Sequence, residues 1–281
     1  MCRLAAFPPG YTKEGANKIM AAYGSSNRDG VGIAYAKDGE LVVKKWANSW
    51  DFLESKKVDV FAHMPCSSWT IAHVRAATHG EVTVDNTHPF VKGDWAVVHN
   101  GIYGGHNVAR ALLTEMGSTF QGQTDSEVGA ELINRFGPKR FLMFTGSHDG
   151  TWLALNKSGE LYVVVAGGAC DIFKLKGSKG KVVVASALTN DGVKSVDSGW
   201  IRLNHKGKIR GGKYKLEASY AGYSSYPSAG YQYQSYQNGD TPDQKKWEKK
   251  WEKKWGKKVT RVGPLTPEEH MLQSRSFMDY D

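Results

Sequence analysis

Cysteine is scarce in this chain. Cys2, Cys66 and Cys170 are the three in 281 residues, too few and too odd in number for a disulfide framework. Reduced thiols fit a cytoplasmic protein, which is the localisation expected here. Long apolar runs are also missing: none approaches the roughly 18 residues a membrane-spanning helix needs, which argues against an integral membrane protein. The opening residues MCRLAAFPPGY hold a short apolar stretch followed by a proline pair, a poor match to a secretory leader. The histidines offer no His-x-x-x-His pair and the cysteines no Cys-x-x-Cys pair, so His73, His79, His88 and His99 do not read as a metal site.

What is present is the make-up of a soluble globular protein, 40% hydrophobic and 23% charged. The net charge of +9 is unevenly placed, because residues 241–262 hold eight lysines and one arginine against three acids. The rest of the chain is only mildly basic, so the total does not mark the whole protein as a binder of nucleic acid or another acidic surface.

Apolar, β-branched runs at residues 31–36, 41–46, 94–100, 151–156, 160–165 and 181–186 predict strands. Short turn segments such as KDG at 37–39 and KSG at 157–159 favour antiparallel hairpins over parallel crossovers. Helical periodicity appears at 12–23, with Ala16, Ile19, Met20 and Tyr23 on one face, at 106–116 with Val108, Leu112 and Met116, and at 125–136. The class is α+β.

After Leu216 the composition changes. The stretch 219–239 has six tyrosines among Ser, Gly, Gln and Ala, too little apolar surface to offset its ordering entropy. Residues 217–242 therefore read as a flexible linker after a domain at 2–216. Residues 243–281 begin with a four-residue repeat that sets Trp247, Trp251 and Trp255 on one helical stripe. This basic amphipathic segment suits docking to a partner protein, an anionic membrane surface or nucleic acid, and also a solvated appendage.

Cys2 is chemically special if Met1 is removed. It then carries both a thiol and a free α-amine, whose reference pKa near ~8 suits a general base. Four further segments accompany it in one 56-residue window: HVRAATHG at 73–80, DNTHPF at 85–90, HNG at 99–101 and TDSEV at 124–128. Taken singly they have plainer readings: HNG fits a turn with a satisfied histidine, and Arg75 and Asp125 fit surface charges.

Together these segments resemble those of class II glutamine amidotransferases, the family of the glutaminase domain of glucosamine-6-phosphate synthase. The resemblance implies a four-layer αββα N-terminal-nucleophile hydrolase sandwich with two antiparallel sheets, and an enzyme that releases ammonia and glutamate from glutamine through a Cys2 thioester. By the same resemblance Arg75 pairs with the substrate α-carboxylate, Asp125 with its α-ammonium, and Asn100 and Gly101 form the oxyanion hole. Thr78 and His79 border the substrate pocket, and His88 shapes it. No cofactor is implied. Ala76 stands where several members carry a bulky aromatic, which leaves room for another γ-glutamyl amide as substrate. No synthase domain fits after residue 216, so the ammonia acceptor is expected to be a separate protein; a non-catalytic scaffold acting through its tail is the contrasting possibility.

Overall fold

The computed structural model describes residues 2–49, 65, 67–78, 80–146, 149–174, 182–185 and 194–218. His79 and the linker and Trp/Lys segment beyond residue 218 lie outside the described residues.

Eleven strands and three α-helices make up the described chain: β1 Arg3–Phe7, α1 Lys13–Ser26, β2 Val31–Lys37, β3 Glu40–Trp46, β4 Thr70–Val74, β5 Phe90–Lys92, β6 Trp95–Asn100, α2 His106–Glu115, α3 Asp125–Phe141, β7 Gly150–Asn156, β8 Leu161–Lys174, β9 Val182–Ala185, β10 Lys194–Leu203 and β11 Ile209–Ala218. All the strand pairs are antiparallel. The hydrogen-bonded order runs β3-β2-β4-β1-β9-β8-β7-β6-β5, with β10 on β8 and β11 on β10. The long β8 joins the halves: residues 161–166 pair with β7 and Asp171–Lys174 with β9. The path thus folds back on itself as two packed layers.

Alternation along the strands assigns each residue to a layer interface, since successive side chains point to opposite faces. Leu4, Ala6, Ile71, Ala96, Val98, Leu153, Leu155, Val163, Val165, Val182 and Val184 meet between the two sheet layers. Their neighbours in sequence face outward. Ala5, Phe7, Ala72, Val183 and Ala185 pack against Ala16, Ile19, Met20 and Tyr23 of α1. Val97, Trp152, Ala154 and Val164 pack against Val128, Leu132 and Ile133 of α3 and Leu113 of α2. Three apolar interfaces between four layers give the αββα sandwich expected from the sequence.

Local chemistry explains the element ends. The β2–β3 hairpin turns on Asp38 (φ 53°) and Gly39 (φ 81°), the two left-handed residues of a type I′ turn that matches strand twist. Thr12 caps α1, its hydroxyl accepting from Gly15 N at 3.2 Å. Inside α3, Gly137 at φ 77° followed by Pro138 breaks the helical backbone, which is where the helical periodicity of 125–136 stops.

One helix presents a different face from the periodic one. In α2, Val108, Leu112 and Met116 are 70%, 61% and 58% exposed, whereas Leu113 is 3% exposed. The helix carries two apolar stripes, and the core it shares with α3 covers the one through Ala109 and Leu113. Leu113→Ala is therefore expected to cost about 2–5 kcal/mol in a denaturant titration. Leu112→Ser should change stability by no more than about 0.5 kcal/mol.

Candidate active site

The pairing of β1 with β4 sets Arg3 opposite Val74. The next residue on each strand end is Cys2 on one side and Arg75 on the other, so register alone brings together residues far apart in sequence. Cys2 Sγ lies 3.4 Å from both the backbone N and O of Ala76. Burial pushes the thiol pKa above its ordinary value; the Ala76 backbone and the Arg75 charge pull it down, and Asp125 pushes it up.

Arg75 is buried, which removes the surface-charge reading. Its backbone bonds Gly30 O and Asp29 N. Its guanidinium donates to Glu81 O at 2.8 Å and to Gly80 O at 3.3 Å. The segment that receives these bonds is fixed by Asn86, whose Nδ2 donates to Glu81 O at 3.1 Å and whose Oδ1 accepts from Gln123 N at 2.7 Å. Asn86 thereby links the arginine loop to the start of α3. The sequence reading quoted Asn86 in DNTHPF but assigned it no part; only the tertiary contacts give it one.

Asp125, the first residue of α3, is also buried. Its Oδ2 accepts from Tyr103 N at 2.6 Å, and its Oδ1 lies 3.2 Å from the Ser126 hydroxyl. The Tyr103 bond holds the loop that follows Gly101. A second carboxylate holds it as well: Asp149 accepts from Gly104 N at 3.1 Å and Gly146 N at 2.7 Å.

Asn100 ends β6 and Gly101 follows it. A Cβ at Gly101 would come 2.4 Å from Asp149 O, 2.7 Å from Gly150 Cα and 2.8 Å from His99 Nε2, so no other residue fits without moving backbone. His99 is satisfied: its ring stacks on Trp152 at 3.6 Å, Nε2 donates to Asp149 O at 2.7 Å, and Nδ1 faces the Ser126 hydroxyl at 2.9 Å. Burial lowers its pKa, against the opposing pull of Asp125. The neutral ring then carries its proton on Nε2.

His88 is buried between His73 and Phe90, with ring centroids 4.0 and 4.7 Å away. Its carbonyl oxygen lies where a Cβ on Gly32 would be, so β2 passes it without a side chain. Burial holds its pKa well below the ordinary value, with His73, His99, Arg75 and Lys45 adding to the effect. His73, donating from Nε2 to His99 O at 2.9 Å, is pushed down to about 3 by burial.

One small cavity, about 20 Å³ in free volume, is lined by Cys2, Arg75, Thr78, His88, Gly101 and Asp125 together with Ala76, His99, Thr124 and Ser126. Six of the eight residues singled out from sequence thus meet there. Asn100 adjoins it through Gly101, and His79 lies outside the described residues. The arrangement sets a thiol, a buried cation and a buried anion around one point, a combination suited to a small zwitterion with an electrophilic carbonyl.

Known proteins resemble this chain over part of its sequence and in fold. The family model for class II glutamine amidotransferases matches residues 17–136. The glutamine–fructose-6-phosphate aminotransferase of Aliivibrio fischeri is 54% identical over 63 residues, 22% of this chain and 10% of that protein. That of Zymomonas mobilis is 40% identical over 107 residues, 38% of this chain and 17% of that protein. The chain thus spans only a small part of the length of these relatives. Glutamine phosphoribosylpyrophosphate amidotransferase from B. subtilis, in complex with ADP and GMP, superposes with a TM-score of 0.58 at 21% identity, over 77% of this chain and 49% of that one. Residues 17–136 thus match the class II glutamine amidotransferase family, and the described fold is that of the amidotransferase it superposes on.

Proposed function

We propose that the domain hydrolyses glutamine to glutamate and ammonia at Cys2 once Met1 is removed. What supports this reading above all is the meeting of Cys2, Arg75, Gly101 and Asp125 at one cavity, from four separate segments of chain. Arg75 binds the α-carboxylate, for which a guanidinium is the suited partner. Asp125 binds the α-ammonium. Thr78, His79 and His88 border the rest of the substrate.

The Cys2 amine, directly or through a water, takes the thiol proton, and the thiolate attacks the side-chain amide carbon. The oxyanion that forms is held by the Asn100 side-chain amide and the Gly101 N–H. Collapse expels ammonia, which takes up the proton, and leaves a γ-glutamyl thioester. Water then attacks the thioester through a second oxyanion, releasing glutamate and the thiol. Every step uses protein groups and water alone.

The ammonia passes to a separate synthase, and the Trp247, Trp251 and Trp255 stripe is the element proposed to dock that partner or an acidic surface. We place the protein in the cytoplasm; among the described residues no helix is long and apolar enough to cross a membrane.

The deciding experiment incubates Met1-free protein with glutamine and with a panel of other γ-glutamyl amides, beside a Cys2→Ala control. Glutamate release above that control is the expected result, greatest for glutamine. A panel member turned over far faster than glutamine would move the substrate assignment to it, through the room left by Ala76. Release equal to the control on every compound would overturn catalysis.

A further inference from the structure

Past Val74 the chain leaves β4 with little to hold it. Residues 76–78 lie beyond the sheet pairing, and their side chains are two methyl groups and an exposed threonine. Among the described residues this segment is hydrogen-bonded to two side chains, Cys2 and Asp29. Ala76 meets the thiol, its N and its O each 3.4 Å from Sγ. Ala77 N donates to Asp29 Oδ2 at 2.7 Å. Asp29 belongs to none of the segments singled out in the sequence.

Asp29 is itself firmly placed. It lies in the short connection between α1 and β2, just after Asn27 caps the helix. Its N donates to Arg75 O at 3.1 Å, and Arg75 N donates to Gly30 O at 2.7 Å. These two bonds extend the β2–β4 ladder past the register pair Val31–Val74. Asn27 Nδ2 adds a bond to Val74 O at 3.3 Å. With its backbone fixed beside Arg75, the Asp29 carboxylate reaches the amide two residues on, at Ala77.

The two Ala76 atoms beside the sulfur act in opposite senses. A thiol can donate to the carbonyl, whereas a thiolate can only accept, from the N–H. The placing of this segment therefore decides whether the backbone favours the neutral or the charged sulfur. We propose that Asp29 is a positioning residue for the nucleophile: through Ala77 it holds the Ala76 N–H against Cys2 Sγ, so that this N–H supports and aims the thiolate. A bond from a backbone amide to a carboxylate is among the stronger ones a loop can make, which suits an anchor for a segment with so few other contacts. The proposal rests on the glutaminase reading for its reaction, and on the geometry alone for its effect on the sulfur.

The other charged and titratable groups at the thiol are its own α-amine after loss of Met1, Arg75 from the end of β4, Asp125 from the start of α3, and the His88 and His99 rings lining the same cavity. Asp29 also faces Arg75 as a charge. As a bare negative charge Asp29 would oppose a thiolate; as the anchor of Ala76 it supports one. The two roles thus predict opposite signs when the carboxylate is removed.

The test uses full-length protein freed of Met1, as Asp29→Ala, Asp29→Ser and Asp29→Asn. Cys2 is titrated by the ultraviolet absorbance of its thiolate, taken as the difference from the same variant carrying Cys2→Ala, and kcat and KM for glutamine are measured alongside. Asp29→Ala should titrate at higher pH than wild type and lose about 10-fold in kcat with KM little changed, the factor that corresponds to one hydrogen bond to a charged group. Asp29→Ser, whose hydroxyl stops short of Ala77 N and leaves space for a water, should do the same, and it serves if Asp29→Ala does not melt cooperatively. Asp29→Asn keeps an acceptor oxygen for Ala77 and loses the charge, so it should titrate no higher than wild type and keep the wild-type kcat. Unfolding does not imitate this pattern, because it removes the burial that raises the thiol pKa and so moves the midpoint down. A midpoint unchanged or lowered in folded Asp29→Ala or Asp29→Ser would overturn the proposal. So would an equal loss in Asp29→Asn, or a loss confined to KM. The titration needs no glutamine, so it decides the role of Asp29 even if wild-type protein hydrolyses nothing.

Discussion

Protein that keeps Met1 is expected to hydrolyse glutamine no faster than Cys2→Ala, and removal of that one residue should restore the rate by about 10⁴- to 10⁶-fold, the range seen when a nucleophile or its base is deleted. The reason lies in the thiol. Burial pushes its pKa above the ordinary value, so near neutral pH it is protonated and needs a base. The neighbouring histidines are poor bases here, because burial lowers the pKa of His73, His88 and His99 alike. The α-amine of a processed Cys2 can serve, whereas the amide nitrogen of an uncut Met1–Cys2 bond has no basic lone pair. The pH profile follows with a definite sign. The amine acts only when deprotonated, so kcat/KM should rise with pH through about 8, its reference value, and level off above it. A profile flat from pH 6 to 9 would remove the amine from the mechanism. Mass spectrometry of the N-terminus, read beside the rate, is the companion measurement.

Asn100→Ala should cut kcat by about 10²- to 10³-fold while KM moves little, the loss typical of one oxyanion-hole donor. The side chain helps only as charge develops on the carbonyl oxygen, so binding of the ground-state amide does not feel its absence. The adjacent Gly101→Ala should behave differently. Its Cβ would strike the backbone of Asp149 and Gly150, and neither can yield without disturbing the bonds that Asp149 makes to Gly104 and Gly146. That variant should lose stability together with activity, seen as a lowered Tm, while Asn100→Ala melts as wild type. Equal losses of stability in both would mean that Asn100 serves the fold instead of the oxyanion.

Much of the sandwich was legible before any coordinates. The β-branched runs that became β2, β3, β6, β7, β8 and β9 are near-continuous because each strand has a covered face on either side. The KDG segment closes a hairpin because Asp38 and Gly39 accept left-handed backbone. Five strands escaped the same reading. β1 is short and alanine-rich, and β10 carries Ser, Asp and Gly in its interior; such strands exist because neighbours pair with them on both edges. The face of α2 was equally hidden, since two apolar stripes along one helix look alike until a neighbouring element covers one.

The sequence by itself determined the chemical parts: a cysteine beside the initiator methionine, an arginine and an aspartate of opposite charge, and an asparagine–glycine pair. Residue type and order were sufficient for that, because the chemistry demands those groups wherever they lie. Tertiary structure alone decided how they are held. β1–β4 register sets Cys2 beside Arg75, Asn86 ties the arginine loop to α3, and the burial of Arg75 and Asp125 excludes the surface-charge alternative. Burial and hydrogen-bond partnership are properties of atoms brought close by folding, so spacing along the chain carries no record of them.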